Sequence, residues 1–207
     1  MEEEDVKFET GEITLEGALW LPSEPGQVGV VLCHPHPLFG GNMQNNVVTA
    51  LAQAFQQAGF ATLRFNFRGV GGSGGTHGGG TAELADVDAA IACILSRYAP
   101  SKLIVVGYSF GAMVGLRAGA TDSRVHALIG VGLPVERVDS AELSAAAKPT
   151  LLVSGDSDHV SPLDGLRSLF DQLPEPKQIV ALQGVDHFFA GCEHKAAEAA
   201  LEFIGTL

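Results

Sequence analysis

"VVGYSFGAMVG", Val105 to Gly115, joins an apolar β-rich run to a helix-forming run through a serine flanked by glycines. The pattern Gly107-x-Ser109-x-Gly111 is short and recurs by chance. A strand ending just before it and a helix starting just after it make it specific. Both conditions are met, since "KLIVVGYS" reads as a buried strand and "GAMVGLRAGA" as a helix. A strand and a helix that meet across so tight a turn press together, and side chains two positions either side of the serine would collide; glycine relieves the crowding. The strained turn lifts the Ser109 hydroxyl above the sheet edge. The Phe110 N–H stands at the new helix N-terminus, where unpaired donors and the dipole favour an anion. Ser109 is thus the candidate nucleophile and Phe110 a candidate oxyanion donor.

Outward from this turn, short β-rich runs alternate with longer helical ones. "ITLEGALWL" sets Ile13, Leu15, Leu19 and Leu21 on one face, as in a half-buried antiparallel strand near an edge. "VGVVLC", "FATLRFNF", "HALIGVG", "TLLVSG" and "KQIVAL" read as further strands. "NNVVTALAQAFQQAG", about Ala82 to Tyr98, "PLDGLRSLFDQL" and "HKAAEAALEFIGTL" read as helices, and another fits after Asp139. Alternation of this kind with continuous apolar strands predicts an α/β fold: a mainly parallel sheet covered by helices on both faces, in a single domain over 1–207. Its functional loops should follow the carboxyl ends of the strands.

A serine nucleophile needs a base, and the base needs an orienting acid. "TLLVSGDSDHVSP" is a strand followed by Asp156 and Asp158, and "VALQGVDHFFAG" a strand followed by Asp186 and His187. The order Ser, Asp, His suits this type of fold. Position and the apolar followers Phe188 and Phe189 single out His187 from His159, His194, His77 and His126. Among the acids, Asp156 follows Gly155 directly and suits bracing the turn, and Asp186 adjoins His187, so Asp158 is the favoured orienter.

The bulk composition excludes several classes. Apolar residues make up 46% of the 207, enough for a core. A net charge of −12 argues against a nucleic-acid surface. "MEEEDVKF" is acidic where a signal peptide is basic, and no apolar run approaches the ~18 residues of a membrane span. Cys33, Cys93 and Cys192 are odd in number and far apart, which suits free thiols in a reducing cytoplasm. Gly69-Val-Gly71-Gly-Ser-Gly74 spells a dinucleotide-binding pattern, but its glycines run on to Gly80 before a helix begins and the next strand ends without the required acid. A flexible loop, with Arg68 bracing neighbouring turns, fits better.

"VLCHPHPLFGGN", Val31 to Asn42, carries His34 and His36. Two histidines make at most two metal ligands, and no nearby spacing supplies a third. The segment lies where the second oxyanion donor is needed. Pro35 and Pro37 have no N–H, which leaves the His36 N–H as first choice and Leu38 as second. The prolines also hold His34 and His36 extended, and a stiff loop suits a preorganised oxyanion hole.

"HPHPLFGG", "LRFNFRGVGGS", "GYSFGA", "GDSDHVSP" and "DHFF" together resemble the α/β-hydrolase superfamily over nearly the whole chain. Within it they look like a small cap-less bacterial branch related to dienelactone hydrolase-like predicted hydrolases. The resemblance implies Ser109 as nucleophile, His187 as base and Asp158 as acid, the last through its G-x-x-D-x-V-x-P setting. Dienelactone hydrolases proper use cysteine, so their narrower activity does not carry over. Relatives with an aspartate nucleophile are disfavoured by Ser109. Leu133 to Pro149, where a lid is usually inserted, is too short for a large cap. An open cleft edged by Leu38, Phe39, Phe110, Leu133, Val160 and Phe188 is expected.

The expected function is therefore a serine carboxylic-ester hydrolase acting on small or short-chain acyl esters, with no cofactor and no metal. A thioesterase or small-amide hydrolase would use the same triad. A non-catalytic binding module usually lacks the nucleophile or base, and a metal-dependent hydrolase would have to be built on His34 and His36. The expected partner is a small-molecule ester, with neither nucleic acid nor membrane. Apolar edge strands could pair two copies into a homodimer.

Overall fold

The computed structural model describes residues 3–24 and 26–207. Met1 and Glu2, where the acidic N-terminus begins, and Pro25 lie outside them. The described chain runs β1 (Glu4–Thr10), β2 (Ile13–Trp20), β3 (Val28–Cys33), α1 (Asn46–Gln57), β4 (Ala61–Phe65), α2 (Glu83–Arg97), β5 (Lys102–Tyr108), α3 (Phe110–Thr121), β6 (Ala127–Val131), α4 (Ser140–Ala146), β7 (Thr150–Gly155), α5 (Leu163–Gln172), β8 (Lys177–Leu182) and α6 (Glu193–Gly205). All the strands join one sheet in the order β1-β2-β4-β3-β5-β6-β7-β8. β1 and β2 run antiparallel to each other, β2 runs antiparallel to β4, and every pairing from β4 to β8 is parallel.

The apolar pattern of each central strand explains why both faces are covered. In β3, Val28, Val30 and Leu32 enter one core while Val31 and Cys33 enter the other. Ile104 and Val106 of β5 alternate with Leu103 and Val105 in the same way. This is the period of two expected of a strand buried on both sides. Helices α2, α3, α4 and α5 close the first core, and α1 and α6 the second. Phe55, Phe65, Phe67 and Phe189 are fully buried, each contributing on the order of 2–3 kcal/mol by removing apolar surface from water.

Local signals fix the helix ends. The Asn45 side chain accepts from the N–H groups of Val47 and Val48 at the start of α1, a helix cap of the usual type. Asp139 does the same for Ala141 in α4. Gly59, at φ 79°, turns the chain from α1 toward β4.

β1 is an addition to the sequence reading. Its buried residues Val6 and Thr10 share one face, while its other face is charged. Between β6 and β7 the chain makes only a 3-10 turn, Val135–Arg137, and the short α4, so no large cap covers the sheet edge. Among the described residues no helix is long and apolar enough to cross a membrane.

Candidate active site

Parallel pairing from β4 to β8 brings the carboxyl ends of β3, β5, β6, β7 and β8 to one edge, and the predicted residues meet there. Ser109 follows β5 with φ 55° and ψ −119°, a strained backbone for a residue with a Cβ. A Cβ on Gly107 would overlap the Gly111 carbonyl, and one on Gly111 would overlap the Cys33 carbonyl. The turn therefore requires glycine at both positions, for the steric reason inferred from the sequence.

Ser109 Oγ lies 2.9 Å from His187 Nε2. His187 Nδ1 lies 2.8 Å from Asp158 Oδ2. The other carboxylate oxygen, Oδ1, accepts from the Val160 and Ser161 N–H groups, each at 2.8 Å. Burial pushes the Asp158 carboxyl up, but the hydrogen bonds from His187 and from the Ser161 and Val160 N–H groups, with the attraction of His187, hold it below its ordinary value. The carboxylate is thus fixed and ionised behind the imidazole. Asp156 accepts from the Gly184 N–H and ties the β7 loop to the β8 loop. Asp186 accepts from the Phe188 N–H two residues on. Neither competing acid is bonded to the His187 ring.

Two supports of His187 lie outside the sequence reading. The Tyr108 hydroxyl donates to the His187 carbonyl at 2.7 Å; burial, with the charges of Asp158 and Asp186, pushes that phenol up, so it remains a donor. Gly132, at φ 56°, lies against the His187 ring, where a Cβ would come within 3.2 Å. A glycine closing an apolar strand, as in "GVGLP", was the available signal.

The His34–His36 loop divides into two jobs. His34 is fully buried; its Nε2 accepts from the Phe67 N–H at 3.0 Å, so its Nδ1 carries the proton and donates to the Pro35 carbonyl at 2.6 Å. Burial pushes this imidazole down to about 4, so it is neutral near pH 7. Both nitrogens are occupied by the backbone, and His34 is a brace between the β3 and β4 loops. His36 packs against Phe110, with ring centres 4.9 Å apart. Burial, then the nearby His77 and Arg137, hold its imidazole below the ordinary value. Its Nδ1 accepts from the Leu38 N–H at 3.2 Å. That bond occupies the Leu38 donor, while the His36 N–H has no acceptor among the described residues. Among those residues no group of three or more His, Cys, Asp or Glu is arranged to hold a metal ion.

The glycine-rich segment is bound from within. Glu83 accepts from the Gly78 and Gly80 N–H groups, and Asp86 accepts from the Arg68 N–H and guanidinium. Acidic side chains occupy donors that a phosphate cradle would present outward.

Ser109 and His187 open into a cleft of about 660 Å³. Leu38, Phe39, Val160 and Phe188 line it and are exposed, Phe39 by 87% and Phe188 by 69%. Leu133 is a correction: it is 0% exposed and belongs to the core with Leu143 and Leu166. Gly132, against the His187 ring, takes a positive φ where the strand ends, and the Leu133 that follows it is buried. Pro134, Met113, Asn45 and Arg137 complete that part of the lining instead.

Residues 30–148 match the family described as alpha/beta hydrolase fold. The chain belongs to this family. It is similar in structure to an alpha-beta serine hydrolase homologue from Coxiella burnetii, with 36% identity, a TM-score of 0.88, and coverage of 98% of this chain and 97% of the other. A serine hydrolase without lid from Xanthomonas campestris is 28% identical at a TM-score of 0.88, over 100% of this chain and 95% of the other. An uncharacterized protein of Rickettsia prowazekii is 28% identical over 98% of this chain and 89% of its own length. In this α/β-hydrolase the elbow, the acid loop and the histidine loop come from β5, β7 and β8 in the chain order expected.

Proposed function

We propose that the protein is a serine esterase that hydrolyses small carboxylic esters through an acyl-enzyme. The observation that carries this reading is the hydrogen-bonded chain from Ser109 Oγ through His187 to Asp158 at the foot of an apolar cleft. His187 Nε2 takes the Ser109 proton as the oxygen attacks the ester carbonyl. Asp158 keeps the Nδ1 proton in place and stabilises the imidazolium that forms. The tetrahedral oxyanion is received by the N–H of Phe110, at the start of α3, and by that of His36. His187 then protonates the departing alcohol. Water, deprotonated by the same imidazole, releases the acid. The family relationship and the serine hydrolases it resembles support this chemistry.

The rim of Leu38, Phe39, Val160 and Phe188 favours an acyl or alcohol group with some apolar length. An uncapped cleft suits small substrates that need no closing lid. The partner in this reading is a small-molecule ester, and the three free cysteines suit a reducing cytoplasm. The test is Ser109→Ala assayed on p-nitrophenyl acetate and butyrate. Turnover should fall at least ~10³-fold with no change in melting temperature. Retained activity would sink the assignment.

A further inference from the structure

The cleft around Ser109 is lined by neutral side chains and histidines with one exception. Arg137, at the end of the 3-10 turn between β6 and β7, is among the described residues the single side chain of fixed charge in the lining. Arg64, Arg68, Arg97, Arg117, Arg124 and Arg167 each pair with a carboxylate. Arg137 makes neither ion pair nor side-chain hydrogen bond among the described residues, although the chain carries 24 acidic residues against 12 basic ones. The nearby Asp139 is engaged in capping α4. A guanidinium so placed offers a planar fork of donors that matches a carboxylate in two-point geometry.

We propose that Arg137 receives a carboxylate carried by the substrate, so that the ester cleaved at Ser109 belongs to an acid-bearing molecule such as a half-ester of a dicarboxylic acid. This rests on the esterase reading and adds the substrate class to it. The net charge of −12 repels anions at long range. That repulsion is screened beyond roughly 8 Å at physiological ionic strength, so inside the cleft the local cation governs. Arg137 is exposed at the cleft rim, so its hold on a carboxylate comes from the two-point geometry of the guanidinium rather than from desolvation.

The test compares mono-p-nitrophenyl adipate with p-nitrophenyl hexanoate, which share a six-carbon acyl chain and differ in the terminal carboxylate. The ratio of their kcat/KM values is measured for the wild type, Arg137→Lys, Arg137→Ala and Arg137→Glu. In Arg137→Ala the adipate-to-hexanoate ratio should fall about tenfold, equivalent to ~1.4 kcal/mol, mostly through KM. It should fall further in Arg137→Glu and be partly restored in Arg137→Lys. An unchanged ratio overturns the proposal, while hexanoate hydrolysis lost in Ser109→Ala keeps the esterase reading standing. A second arm needs no turnover: monomethyl adipate and methyl hexanoate are titrated calorimetrically into Ser109→Ala and into Ser109→Ala/Arg137→Ala. Should neither p-nitrophenyl ester be hydrolysed, this arm still decides. Adipate-ester binding weakened by loss of Arg137 supports the proposal, and equal binding overturns it.

Discussion

Replacing Asp158 by asparagine separates orientation from nucleophilicity. The asparagine carbonyl can still accept from the Val160 and Ser161 N–H groups that now hold Oδ1. Its amide nitrogen then faces His187 Nδ1, where Oδ2 stood at 2.8 Å. An NH₂ group cannot accept the Nδ1 proton, so the imidazole must shift its proton to Nε2, which then donates toward Ser109 instead of accepting from it. The imidazolium also loses its counter-charge. Unit charges ~4 Å apart at an effective dielectric of ~20 attract by about 4 kcal/mol, or ~10³ in rate at 1.36 kcal/mol per decade. The wrong tautomer adds to this, giving an expected loss in kcat of ~10³ to 10⁴. Steady-state hydrolysis of p-nitrophenyl acetate measures it, with circular dichroism melts to exclude unfolding. Asp156→Asn is the control; its carboxylate holds the Gly184 N–H and no part of the imidazole, so its turnover should stay within about threefold, as for a substitution outside the reacting groups. Similar losses in both variants, or the larger loss at Asp156, would refute the assignment of the orienting acid.

Gly111→Ala would bring a Cβ 2.5 Å from the Cys33 carbonyl carbon and the His34 oxygen, both rigid backbone. It should destabilise by at least ~4 kcal/mol, lowering Tm by roughly 10 °C or more, and an unchanged melt would contradict the packing described. His34 titrates near 4 in the fold because it is buried, against ~6.5 unfolded. Its contribution is therefore full above pH 6.5 and is lost as pH falls toward 4. The unfolding free energy from urea melts should drop by about 2–3 kcal/mol between pH 7 and 4.5 from this group. His34→Gln should flatten that slope, and an unaltered slope would show that His34 does not control it. Phe39→Ser and Phe188→Ser remove exposed side chains from the cleft rim. Each should raise KM for p-nitrophenyl butyrate a few-fold while shifting stability by less than ~0.5 kcal/mol; a large fall in Tm instead would mean these rings belong to the core.

Much of the site was legible because its chemistry is local. The elbow states its own steric requirement in Gly107 and Gly111, and Asp158 and His187 each follow an apolar run, so chain order and strand ends were enough to expect them near Ser109, where they are hydrogen-bonded. Contacts between distant loops were not legible. Nothing near "CHPHP" names Phe67 as the partner of His34, since only the pairing of β3 with β4 brings them together. Strand β1 was hidden by charge: in "EDVKFET" the acidic and basic residues on its open face mask the alternation of Val6, Phe8 and Thr10. Leu133 went astray because side-chain direction after a strand depends on the turn that follows it, which the sequence does not specify; here the chain passes through a positive φ at Gly132 and Leu133 is buried. Arg137 gave no signal at all, because the absence of an ion pair is a property of the folded surface.

Trapping the acyl-enzyme tests the central claim most directly. The protein is mixed with p-nitrophenyl butyrate, quenched in acid within milliseconds to seconds, and its intact mass and peptides are measured. A single butyryl adduct is expected, confined to the peptide containing Ser109, appearing with a burst of p-nitrophenol and absent from Ser109→Ala. Turnover without any adduct or burst, or an adduct on another residue that persists in Ser109→Ala, would contradict nucleophilic catalysis by this serine.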